Sequence, residues 1–199
     1  MTHPFPRLRW AALAWLAVWV PTYAVFYGFG NFLHLCDVAV LLSCVGLWRG
    51  SALLLSMQAL TSMLIDLTWD LDLGWRLLTG RHLLGGTEYM WEEKYPLWVR
   101  LLSLFHLVLP VLLLWALRRV GYRRRSLALQ SALGLILIAA ARLVGPEPNV
   151  NFSWRDPFFH RAWGPAPAHV LVIFAGLIII VYLPTHLVLS RLYASRKGW

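Results

Sequence analysis

The chain has 199 residues, of which 59% are apolar and 14% charged, with a mean hydropathy of +0.62 and a formal net charge of +9. So apolar a composition marks a membrane protein, and at this length a polytopic bundle leaves little for a separate catalytic module outside the bilayer. The positive charge then reads as topology signalling and attraction to anionic lipid, not as a nucleic-acid interface.

Six segments are long and apolar enough to cross a bilayer: 10–29, 32–48, 52–69, 97–117, 126–144 and 168–189. They predict an all-α polytopic membrane bundle, a single domain of six transmembrane helices with two long outer loops. The first segment is too long for the apolar region of a signal peptide and lacks a small-residue cleavage site. Pro21, Pro110 and Pro184 fall inside spans, where each removes a backbone donor and kinks its helix. The tight links after segments one and two make the first three helices antiparallel neighbours. The loops 70–96 and 145–167 are longer than connection requires and rich in aromatic residues, so they are expected to cover the bundle. Within the first, 71–84 reads as a short interfacial helix broken by Gly80 and ended by Gly85 and Gly86.

Counting Lys and Arg on alternate sides of the spans gives eleven against seven. Arg7, Arg9, Arg49, Arg118, Arg119, Arg123, Arg124, Arg125, Arg191, Arg196 and Lys197 make up the larger group. All nine acidic residues lie on or near the other side. The expectation is an integral protein of a bacterial inner membrane with both termini in the cytoplasm.

Polar groups inside spans concentrate at the outer end. Asn31, His34 and Asp37 share one stripe of the second helix, with Cys36 about 100° from Asp37. The third span carries Gln58, Ser62, Asp66 and Asp70 at four-residue spacing, which lines one face. Ser103 and His106 lie on the fourth, and Arg142, Asn149 and Asn151 reach the same depth. A charged group in hydrocarbon is costly, so such residues turn inward and mark a site. Their plainer roles are a His34–Asp37 packing pair, a buried Cys36, and an Asp66 that neutralises Arg142 or Arg100. Cys36 and Cys44 are eight residues apart on one helix and cannot pair.

Three readings fit. Cys36 as nucleophile, His106 as base and Asp37 or Asp66 as orienter suit acyl transfer. His34, Asp37, Asp66 and His106 could instead hold a divalent metal that activates water, although no cofactor is called for by a motif. Third, the polar groups could be inert structure in an accessory subunit of a larger membrane complex.

The stretch His34, Leu35, Cys36, Asp37 resembles the H-L-C-D motif of the YwaF-type integral membrane proteins. Those are related to a transmembrane acyltransferase of ether phospholipids and to androgen-induced hydrolases of fatty-acid esters. Phe105 and His106 resemble that family's histidine in a later helix, and 149–152 its asparagine-aromatic turn. The resemblance implies that Cys36 accepts the acyl group and His106 is its partner. Together these observations predict a membrane-embedded acyl-lipid transferase or hydrolase with its site in the outer leaflet and membrane lipids as partners.

Overall fold

A computed structural model describes residues 2–193, and every regular element in them is helical. α1 covers Leu8–Phe26, α2 Leu35–Arg49, α3 Ala52–Thr79, α4 Leu97–Val120, α5 Ser126–Ala141 and α6 Ala166–Leu192. Short 3-10 turns occupy Phe29–Leu33, Glu88–Trp91 and Val150–Phe152. The chain runs back and forth along the bundle in six passes, with α3 at the centre against α2, α4, α5 and α6.

Local chemistry sets the boundaries. Ser51 caps α3 by accepting the Leu54 amide at 3.3 Å, and Gly80, left-handed at φ 74°, ends it. α6 contains a π-helical stretch, Leu177–Tyr182, immediately before Pro184. Proline cannot donate to the carbonyl four residues back, and the widened ladder accommodates the gap. Trp19, fully buried, anchors the core between Tyr23, Phe32 and Phe105, at ring separations of 4.3, 5.6 and 5.8 Å.

Two expectations need correction. Among the described residues four helices, not six, are long and apolar enough to cross a membrane: α1, α3, α4 and α6. α2 has 15 residues and α5 has 16, about 22 and 24 Å at 1.5 Å per residue, short of a bilayer core near 30 Å. α2 loses its first turn because His34 is extended, at ψ 136°, and breaks the ladder. The predicted interfacial helix at 71–84 does not exist as a separate element. No strong breaker separates Trp69 from Gly80, so α3 continues to Thr79.

The two ends of the bundle differ in charge. One gathers the start of α1, the end of α2 and the 121–125 turn, where Arg119 bonds the Pro4 carbonyl and Ser56 accepts the Arg123 amide. This basic end carries the described members of the larger Lys and Arg group. Arg196 and Lys197 lie outside the described residues. The acidic end holds the two long loops. Asp72, fully buried, ties the first down by accepting from the Leu83, Leu84, Gly85 and Thr87 amides at 2.6–3.2 Å.

Candidate functional site

The site forms where α2 begins. The first amides of a helix have no partner within it. Here Asn151, arriving from the second long loop, supplies one: its Oδ1 accepts the Leu35 amide at 3.0 Å and its Nδ2 donates to the Leu33 carbonyl at 2.7 Å. Asn151 holds φ 52° to do so, a left-handed conformation that asparagine tolerates. The next two amides, of Cys36 and Asp37, have no acceptor within the helix.

Around this helix start the structure gathers side chains from α1, α2, α3 and α4. Asp37 is buried and accepts from Asn31 Nδ2 at 2.5 Å, so its partner is Asn31 and not His34 as the packing-pair reading expected. Asp66, fully buried on α3, accepts from the Ser62 hydroxyl through Oδ2, while Oδ1 has no partner. The Asp37 and Asp66 carboxyl groups lie within electrostatic reach of each other and of Cys36. Neither Arg142 nor Arg100 takes part here. Arg142 donates to the Ser153 carbonyl at 2.5 Å and lies 3.8 Å over the Trp154 ring, and Arg100 donates to the Met90 carbonyl at 2.7 Å. The proposed neutralisation of Asp66 by either is therefore corrected.

His106 is sandwiched between Trp69 and Phe105, with ring centroids 4.4 and 4.0 Å away. Its Nδ1 donates to the Ser103 carbonyl at 2.7 Å, which leaves the Nε2 lone pair as the basic position. His34 is near enough to His106 to interact electrostatically and is half-buried. No Cys36–His106 hydrogen bond is made in this resting arrangement. Tyr23 and Ser103 share a hydrogen bond of 2.7 Å, and the Trp69 indole donates to Tyr89 at 3.2 Å, which closes the site from the loop side.

Other expected members lie elsewhere. Asn149 bonds its own loop, accepting from the Trp154 and Arg155 amides. Gln58 is buried two turns below Asp66, against Gln130 at 3.4 Å. The four residues offered as metal ligands do not form a ligand set: among the described residues no three His, Cys, Asp or Glu side chains are so grouped. Cavities of about 470 and 410 Å³ open at Arg123–Arg125 and beside Arg142, neither lined by Cys36.

No protein-family model matches the chain, and no curated protein or solved structure is significantly similar to it.

Sequence reasoning missed Tyr23, Tyr89 and Trp69, since an aromatic ring in an apolar helix gives no polar signal. It also missed Gln130, which was legible as the lone amide in the apolar run of α5.

Proposed function

We propose that this protein is an integral membrane acyl-lipid transferase or hydrolase, with all six helices crossing the bilayer and the basic end in the cytoplasm. The two short helices would cross with their polar flanks in the headgroup region, as short spans do when the bilayer thins around them. An outer-leaflet site follows from that orientation. The H-L-C-D resemblance points the same way.

One observation carries the reading: Cys36 stands in the first turn of α2, where the leading amides have no acceptor within the helix. Those amides are donors for the oxyanion that forms when a thiol attacks an ester carbonyl. A nearby cation favours a free thiolate. The titratable neighbours of Cys36 are the acidic groups Asp37 and Asp66 instead, so the proton leaves as attack occurs.

His106 Nε2 takes that proton once substrate closes the gap, the Cys36 sulfur bonds the ester carbonyl carbon, and the ester C–O bond breaks. The departing alkoxide recovers the proton from His106. Water or an acceptor hydroxyl then attacks the thioester, with His106 as base again, and Cys36 regains its thiol proton. Asp37, fixed by Asn31, positions the helix start. A turnover assay in lipid vesicles with an ester phospholipid tests this. Cys36→Ser should lose nearly all activity and His34→Gln much less, and equal activity in Cys36→Ser and the unaltered protein would refute it.

A second reading has its own support. Leu143, Phe158 and Phe159 are 89%, 69% and 67% exposed at the acidic end. In an accessory subunit these residues would grip a larger membrane complex. Native-membrane extraction that yields the chain only in a larger particle would favour it.

A further inference from the structure

Beneath the Cys36 site, buried polar side chains continue through the bundle to its opposite end. At the basic end, Tyr122 and His186 Nδ1 are hydrogen-bonded at 2.8 Å, and Ser126 donates to Tyr122 at 3.0 Å. One turn along α5, Gln130 donates to Thr61 at 2.7 Å and to Tyr182 at 3.4 Å, and accepts from Gln58 at 3.4 Å. Thr61 in turn donates to Tyr182 at 3.3 Å. Ser62 follows Thr61 on α3 and donates to Asp66, and Asp70 stands one turn further, half-buried at the acidic end. Ser126, Gln130, Gln58, Thr61, Ser62 and Asp66 are at most 1% exposed.

Helix packing alone does not call for this arrangement. Three acceptors in the file, Gln58 Oε1, Asp66 Oδ1 and Asp70 Oδ1, are buried with no donor, a state that costs free energy unless water or a proton visits. Among the described residues Asp66 has no cation opposite it. Its charged and titratable neighbours are Asp37 and Cys36 of α2 and Asp70 of its own helix. Tyr182 closes the π-helical stretch of α6, and such stretches recur at functional positions. The breaks in the file, Ser126 to Gln130, Gln58 to Ser62 and Asp66 to Asp70, are one turn each. That is about 6 Å of rise, which one water can bridge.

We propose that this file is a proton path across the bundle, with Asp66 as the group that accepts and releases the proton. A hydroxyl can both donate and accept, as a relay requires: Thr61 does both here, Ser126 and Ser62 donate and Tyr182 accepts, and the amides of Gln58 and Gln130 hold them in line. A proton entering from water at Tyr122 and His186 reaches Asp66 and leaves through Asp70, or the reverse, driven by the gradient or potential across the membrane. No bond other than O–H and N–H changes. This activity goes beyond the acyl-transfer reading and stands without it.

The test is reconstitution into vesicles of phosphatidylethanolamine and phosphatidylglycerol with a trapped pH indicator, a potassium diffusion potential and an imposed pH step. The unaltered protein should dissipate the step at least about tenfold faster than protein-free vesicles, as a working relay would. Asp66→Asn should return the rate to that of protein-free vesicles, and Ser43→Ala, at a buried hydroxyl outside the file, should not change it. Unaltered protein no faster than empty vesicles, or Asp66→Asn as fast as unaltered protein, would overturn the proposal. Should Asp66→Asn not fold, a carbodiimide that attacks protonated buried carboxyls decides. An adduct on the Asp66 peptide with loss of flux supports the path, and flux that survives the adduct, or no adduct, overturns it. Cys36→Ser leaves the flux intact if the path is real, so the two activities fail separately.

Discussion

Asn151→Ala removes the bracket that fixes the start of α2, and its cost can be worked out from the geometry. Two hydrogen bonds disappear, to the Leu35 amide at 3.0 Å and the Leu33 carbonyl at 2.7 Å. Each contributes about 1 kcal/mol net. Alanine at φ 52° adds about 1 kcal/mol, because its Cβ opposes the left-handed conformation. The total is about 3 kcal/mol of local stability, or roughly a hundredfold in the population with the helix start open. Asn151→Gly loses the same bonds without the backbone penalty and should cost about 1 kcal/mol less. Hydrogen exchange in detergent micelles, read at the amides of 35–37, measures both variants. Exchange unchanged in Asn151→Ala would show that Asn151 does not hold α2, and equal effects of Ala and Gly would remove the conformational part of the reasoning.

Asp72→Asn keeps one acceptor for the Leu83, Leu84 and Gly85 amides but turns a donor toward the Thr87 amide, which Asp72 accepts at 2.9 Å. A buried amide left unpaired costs about 1 to 3 kcal/mol, so the 82–87 turn should become susceptible to protease while the helices melt at nearly the same temperature. Asp156, in the second outer loop, is partly desolvated, which raises its pKa, but the Phe159, Arg161 and Phe158 amides outweigh this and hold it below the ordinary carboxylate value. A group depressed on folding stabilises above its unfolded pKa and loses that contribution as pH falls through the folded one. Protection of the 158–161 amides should therefore be flat from pH 7 to about 4 and fall below that. Asp156→Asn should abolish the acid step, and a step that persists in it would refute the assignment.

Much of the fold was legible because it depends on apolar length, which composition records directly. Lengths failed where local backbone chemistry intervened: the extended His34 shortened α2, and the absence of a stop before Gly80 let α3 run on. The convergence of Asn31, Cys36, Asp37, Asp66 and His106 followed from counting residues in from each helix end, since depth is fixed by 1.5 Å per residue. Partners did not follow, because they depend on rotation about each helix axis. Asp37 meets Asn31 where His34 was expected, and Asp66 meets Ser62 where an arginine was expected. The role of Asn151 depends on a loop folding back across more than a hundred residues, which no local pattern encodes.

Intact mass spectrometry of the purified protein, incubated with a phospholipid ester and quenched in acid, tests the central claim most directly. The acyl-transfer account predicts a mass increase of one acyl group less one hydrogen, mapped to the Cys36 peptide, released by hydroxylamine and absent from Cys36→Ala. Measurable lipid turnover with no such adduct, or an adduct that persists in Cys36→Ala, would contradict it.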